Sequence, residues 1–516
     1  MNANIIDIFL RNAGAQPEAI AFVEGSRTIG YGALADDVVR VAGNLRARGL
    51  GRGDHVLIFV PMSVGLYTLL LALFHIGAVP FFVDAWSDRT RLAHACRVVE
   101  PRGFIGIARA HLLRLTSSEI RRIPIALIAS GILGRKRKRG AEREEVPATV
   151  SGSDPALITF TTGSSGAPKG AVRTHRFLVA QHEALRESFG TSRGDIDLPL
   201  LPIFALNNLA AGAATVIPAL DPRRVDAFDP DAIIAQITTH RVATTTGSPS
   251  FYRRLAEHCR ENRIALPTLR RIFLGGAPVG PDLARLLVTT FPDTAVTIVY
   301  GSTEAEPVSH IDARAMLARI ADGREGLPVG RPIDAIDLLI VPVVDGAIDV
   351  SSEEELRALA LPAGESGEIC VAGDHVLTEY RGDPAAWRRT KIDAGGRLWH
   401  RMGDGGYLDD DGCLNLMGPV RQSYVRNGRR IFIAPIELRL ATIDGVRLAT
   451  ILEVGGRVVV VIEPAGDADR PAIERAVRDA GIDCDEIIVV DEIPRDPRHR
   501  SKIDYGRMGG RIGSRE

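Results

Sequence analysis

The stretch Leu157-Ile158-Thr159-Phe160-Thr161-Thr162-Gly163-Ser164-Ser165-Gly166-Ala167-Pro168-Lys169-Gly170 sets hydroxyls and glycines behind a short apolar run and places one lysine near its end. Those residue types suit a phosphate. Glycines let successive backbone N–H groups converge on an anion, the Ser and Thr hydroxyls add donors, and Lys169 supplies positive charge for a polyphosphate. The order is not that of a Walker A loop, because Pro168 stands five residues after Gly163 where that motif has glycine, and no Gly-Lys-Ser/Thr follows. The apolar run before the loop reads as a strand.

Four more segments follow in order. They are Leu274-Gly275-Gly276-Ala277-Pro278, Tyr300-Gly301-Ser302-Thr303-Glu304, His400-Arg401-Met402-Gly403-Asp404 and Ser501-Lys502-Ile503-Asp504. Taken together with the loop, they resemble the motifs of the adenylate-forming superfamily, which includes acyl-CoA synthetases, luciferases and peptide-synthetase adenylation domains. The resemblance spans residues 157 to 504 and implies a set of roles. Thr161, Thr162, Gly163, Ser164, Ser165, Gly166 and Lys169 would hold the phosphates of ATP. Gly276, Ala277 and Pro278 would lie along the adenine, Tyr300 would stack on it with Gly301 beside it, and Asp404 would accept bonds from the ribose hydroxyls. Thr303 would bond phosphate, Glu304 would hold Mg²⁺, and Lys502 would polarise the carboxylate and α-phosphate. Arg426-Asn427-Gly428-Arg429-Arg430-Ile431 with Glu437 resembles the Lys-x-x-Gly-x-Arg-Ile…Glu segment of acyl-CoA synthetases, which assigns Arg430 to the nucleotide site.

The chain as a whole agrees with such an enzyme. At 516 residues it is too long for one core and suits a large multi-layer unit plus a smaller one. With 63 basic and 64 acidic residues no polyanion-binding surface is implied, which argues against nucleic acid as a partner. The run Arg135-Lys136-Arg137-Lys138-Arg139 is followed by Glu142, Glu144 and Glu145 and reads as a solvated connector. Five scattered cysteines suggest neither a disulfide framework nor a zinc site and suit a reducing cytoplasm. The segment from Val56 to Val83 has no Asp, Glu, Lys or Arg and is long enough to span a bilayer. Its punctuation predicts instead a strand at Val56 to Val60, a helix at Leu66 to Ile76 and a strand at Val79 to Val83. No transmembrane segment is expected. The pattern predicts an α/β protein with doubly wound subdomains and a small β-rich subdomain at about residues 330–418, together forming an N-terminal unit over residues 1–418. Residues 419–516 read as a small α+β unit carrying Lys502, which the resemblance makes mobile.

What attacks the acyl-adenylate decides the product. Pro202-Ile203-Phe204-Ala205-Leu206-Asn207 corresponds to a segment that reads Pro-x-Phe-His in many acyl- and aryl-CoA ligases, with Ala205 replacing the histidine; Phe204, Ala205 and Asn207 are assigned to the acid pocket. Fifteen residues after Asp404 the superfamily usually has an arginine, and this chain has Pro419, with Arg421 or Arg401 as candidate replacements. Phe204-Ala205-Leu206, Val216-Ile217-Pro218-Ala219-Leu220-Asp221-Pro222, Gly247-Ser248-Pro249 and Asp496-Pro497-Arg498-His499-Arg500-Ser501-Lys502-Ile503 resemble the bacterial olefin-biosynthesis β-lactone synthetases. That branch adenylates a β-hydroxy fatty acid and lets its own hydroxyl close a four-membered ring. The resemblance implies ATP, Mg²⁺ and a small carboxylic acid, favours intramolecular closure, and leaves CoA or a carrier protein as the alternative acceptor.

Overall fold

The computed structural model describes residues 4–83, 89–134, 146–162, 168–220, 228–466, 468–495 and 503–513. The basic run at 135–139, the tip of the glycine-rich loop at 163–167 and Lys502 lie outside the described residues. Asp221, Pro222 and the stretch from Asp496 to Ser501 lie outside them as well.

The uncharged segment near residue 60 forms the expected strand-helix-strand unit. Strand His55–Phe59 is followed by helix Val64–His75, which begins where the Ser63 hydroxyl oxygen accepts from the Leu66 N–H at 3.2 Å. The helix is apolar on every face because it is buried on every face. Gly77, at φ +71°, reverses the chain into strand Val79–Phe82, which pairs parallel to the first strand. Among the described residues, no helix is long and apolar enough to cross a membrane.

These strands belong to a seven-stranded sheet whose order is Glu379–Arg381, Pro168–Thr174, Pro155–Thr162, Val79–Phe82, His55–Phe59, Gly103–Gly106 and Ile125–Ile128. Its interior is parallel, while Pro155–Thr162 and Pro168–Thr174 form an antiparallel hairpin. An eight-stranded sheet runs Ala305–Asp312, Ala295–Ser302, Arg271–Leu274, Thr244–Gly247, Ile196–Pro199, Ala214–Val216, Ile20–Glu24 and Arg27–Gly30, parallel through its middle and antiparallel at both ends. Helices cover both sheets, so the central strands are continuous apolar runs such as Val56-Leu57-Ile58.

The β-rich texture beyond residue 330 is a six-stranded antiparallel sheet that includes Gly367–Ala372, Lys391–Ala394, Arg397–Leu408 and Leu414–Pro419. From its last strand the chain enters a hairpin, Ser423–Arg426 and Arg429–Phe432, turned by Asn427 and Gly428 at positive φ. Beyond it, Val446–Val454, Arg457–Pro464 and Glu486–Val489 form a three-stranded sheet backed by helix Arg470–Asp479. This smaller C-terminal α+β unit rests on the six-stranded sheet. The Phe432 ring occupies the space a side chain at Gly405 would need, and Ala434 lies against Gly418.

Candidate active site

The hairpin explains how the phosphate loop is aimed. Thr161 pairs with Lys169 and Thr162 with Pro168, which fixes the register of the two strands on either side of the loop. Residues 169, 171 and 173 share one face of Pro168–Thr174, which puts Lys169 and Arg173 on the same side. Lys169 is buried, its Nζ 3.4 Å from Glu304 Oε1 and 4.0 Å from the centre of the Tyr380 ring. The Tyr380 hydroxyl donates to the same carboxylate oxygen at 2.8 Å. Lys391 reaches the other end of this cluster, with its Nζ donating to the Leu377 carbonyl and lying 5.3 Å from the Tyr380 ring centre.

Burial alone would push Glu304 up, but His400, Lys169, the Tyr380 hydroxyl and Lys391 outweigh it and hold the carboxyl at about 2. Glu304 is therefore an anion. Burial also drives His400 down to about 3, and its Nδ1–H donates to the Thr390 carbonyl at 3.1 Å, so the ring is neutral near pH 7. Lys391 is pushed down to about 7 by burial.

Across the site, strand Ala295–Ser302 delivers Tyr300, whose hydroxyl donates to Asp404 Oδ2 at 3.0 Å. Two glycines permit this closeness. A Cβ at Gly275 would fall 2.6 Å from the Val299 carbonyl oxygen, and one at Gly301 would fall 2.8 Å from that of Ala305. Gly276, Ala277 and Pro278 follow strand Arg271–Leu274 as an exposed stretch, which leaves their backbone open to a ligand. Thr303 sits in the turn between Ala295–Ser302 and Ala305–Asp312, and its carbonyl accepts from Arg173 at 3.1 Å. Arg173 also donates to Thr159 Oγ1 at 2.6 Å.

The acid-pocket assignments divide. Helix Pro202–Ala211 starts at Pro202 and ends at Gly212, φ +79°. Asn207 lines an apolar cavity between this helix, helix His175–Phe189 and helix Ile6–Ala15, and its Oδ1 accepts from His182 Nδ1–H at 2.8 Å. Phe204 does not line that cavity. It stacks on Phe189 at 5.8 Å, which in turn stacks on Phe273 at 4.1 Å. Ala205 is fully buried in the core.

Pro419 lies directly opposite Asp404 in the ladder between Arg397–Leu408 and Leu414–Pro419. Arg401 does not stand in for the missing arginine. It points away from Asp404 into a buried ion pair with Glu368, at 2.6 Å, and binds the carbonyls of Val344, Gly346 and Arg389. Arg421 is exposed. Arg430 lies in the C-terminal hairpin, where it donates to Ser423 Oγ at 2.9 Å, and Glu437 is half-buried and accepts from the hydroxyls of Thr450 and Tyr505.

The sequence reading missed Tyr380, Lys391 and Arg173. Tyr380 and Lys391 sit in no motif, and topology alone brings them to Glu304. Arg173 carried a signal in its even spacing from Lys169 along a strand.

A carboxylate held ionised beside a lysine fits a magnesium nucleotide. Mg²⁺ usually takes one or two carboxylates plus substrate phosphates, and among the described residues no group of three or more His, Cys, Asp or Glu forms a metal cage.

The chain is similar to known proteins. The model of the family described as AMP-binding enzyme matches residues 9–381. The olefin β-lactone synthetase of Stenotrophomonas maltophilia is 33% identical over 96% of this chain and 95% of its own length. That of Xanthomonas campestris pv. campestris is 35% identical over 76% and 72%. ATP-bound MatB from Rhodopseudomonas palustris shares the fold, with a TM-score of 0.80 at 21% identity and 99% of both chains covered. The chain belongs to the AMP-binding enzyme family, and its activity is the ATP-dependent activation of an acid as its adenylate.

Proposed function

We propose that the chain adenylates a β-hydroxy fatty acid and lets the hydroxyl close a β-lactone, with units divided at residues 418 and 419. A carboxylate oxygen attacks the α-phosphorus and pyrophosphate leaves. The β-hydroxyl oxygen then attacks the acyl carbon, AMP departs with the C–O electron pair, and the hydroxyl proton is released. Lys169 and Lys502 neutralise charge on the phosphates, Thr303 and the loop residues orient them, and Asp404 holds the ribose while Tyr300 packs on the adenine. Mg²⁺, held through Glu304, would add Lewis-acid stabilisation of the phosphate charge.

The observation that carries the adenylation half is the convergence of Lys169, Glu304 and Tyr380 on one side and Tyr300 with Asp404 on the other. The lactone half is supported by 33% identity to a β-lactone synthetase over nearly the whole chain, together with Ala205 in the ligase histidine position. Intramolecular attack gains from proximity and needs no thiol acceptor. The test is product mass from matched acids with and without the β-hydroxyl, each with and without CoA. Lactone from the hydroxy acid alone, independent of CoA, is the expected result. A CoA thioester from both acids and lactone from neither would move the protein to a ligase reading.

A further inference from the structure

Glu306 is a titratable side chain next to the turn that carries Thr303 and Glu304, and none of the assigned roles uses it; burial raises its pKa to about 7, against the opposing pull of Arg173. It lies in strand Ala305–Asp312, two residues beyond Glu304, and is only partly exposed. Among the described residues, no side chain makes a hydrogen bond or ion pair to its carboxylate. Arg173 is the facing cation. It is held by Thr159 and the Thr303 carbonyl, packs over the Phe177 ring at 5.7 Å, acts electrostatically on both Glu304 and Glu306, and leaves its Nε–H without a partner. The Glu306 carbonyl accepts from Gln181 Nε2 at 3.3 Å, and Gln181 lines the apolar cavity together with His182 and Asn207. The Glu306 backbone therefore stands between the turn that carries Thr303 and that cavity.

We propose that Glu306, balanced by Arg173, determines specificity by accepting a hydrogen bond from a hydroxyl of the acid. This rests on the activation of a hydroxylated acid argued above. Arg173 favours the ionised form of Glu306 and burial the neutral one, and the carboxyl offers an acceptor oxygen to a hydroxyl in either form. Distance agrees. Two residues of extended chain span at most about 7 Å, which keeps Glu306 close to Glu304 and to the phosphate assigned to Thr303, where the acid's carboxylate must attack and a hydroxyl one or two carbons away can reach it. A site built to receive a hydroxyl discriminates strongly against an acid lacking it, because the carboxylate is then left buried and unpaired.

The experiment compares the wild type with Glu306→Gln and Glu306→Leu on a long-chain β-hydroxy acid and its deoxy counterpart, reading kcat/KM for pyrophosphate release. The wild type is expected to prefer the hydroxy acid. Glu306→Leu should lower its kcat/KM by roughly 10- to 100-fold, as when one partner of a desolvated hydrogen bond is removed, while leaving the deoxy acid unchanged or improved. Glu306→Gln should fall between. Retained turnover of the deoxy acid confirms that the variants are folded. Equal losses on both acids, an unchanged ratio, or no wild-type preference would overturn the assignment. A collapsed ratio with a thioester as wild-type product would sustain Glu306 while sinking lactone closure.

Discussion

Glu304 and Asp404 are both half-buried carboxylates, yet their neighbours differ. Glu304 is paired with Lys169 and held ionised at about 2, so it stays an anion throughout the physiological range. Glu304→Gln should lower kcat and raise the Mg²⁺ concentration needed for half-maximal pyrophosphate release, with modest change in ATP KM. Asp404 instead receives the Tyr300 hydroxyl, and Asp404→Ala should raise ATP KM by about 10-fold or more, because a charge-assisted acceptor is lost. Indistinguishable kinetics for the two variants would remove the division between metal and ribose. Lys502→Ala should reduce the adenylation rate by roughly a hundredfold while calorimetry still detects ATP binding. These residues were picked out because each sits in a short motif that resembles one of the superfamily's, to which the resemblance assigns phosphate, metal or ribose. Tyr380, Lys391 and Glu306 were not, since their significance comes from strands far apart in sequence that the sheets bring to one place.

At the level of elements, hydrophobic runs and glycine punctuation gave the strand-helix-strand unit at Val56 to Val83 to within two residues, because burial on both faces leaves no polar alternation to misread. Strand Val446–Val454 was harder to see, since its apolar residues are interrupted by Arg447, Thr450 and Glu453. Glu463 in the partner strand is fully buried because Arg495 pairs with it at 3.0 Å, a contact made across the fold.

The N-terminal helix Ile6–Ala15 is tied to helix His175–Phe189 by the Ile5 N–H, which donates to His175 Nδ1 at 3.2 Å. Burial lowers His175 to about 4, and accepting that bond requires the neutral ring. The folded value lies below the unfolded one of about 6.5, so this stability is complete above pH 6.5 and is lost as pH falls through 4. It amounts to roughly 3 kcal/mol over that window. Protection of the amides in residues 5–15, taken relative to their intrinsic exchange rate at each pH, should fall between pH 6.5 and 4, and His175→Phe should flatten the dependence; an equally steep response in that variant would place the cause elsewhere. Pro419 offers a second test. Directly opposite residues in an antiparallel pair share a face, so Pro419→Arg should project toward the nucleotide beside Asp404 and lower ATP KM several-fold. An unchanged KM would mean that the ladder no longer aims position 419 at the nucleotide.

For the whole molecule, the joint between the six-stranded sheet and the C-terminal unit depends on residues without side chains. Gly405→Ala would drive a methyl group into the Phe432 ring, so it should split thermal unfolding into two steps and slow adenylation, with ATP binding retained. One cooperative transition at the wild-type temperature would show that the joint yields at little cost. The same ring sets a tempo. Any reorientation of the chain beyond residue 432 must first lift Phe432 off Gly405 and wet it, at about 2 kcal/mol. That leaves the released arrangement roughly thirtyfold rarer than the docked one. An enzyme whose turnover requires that release would spend most of its time waiting, with its nucleotide aligned, for one aromatic ring to leave a glycine.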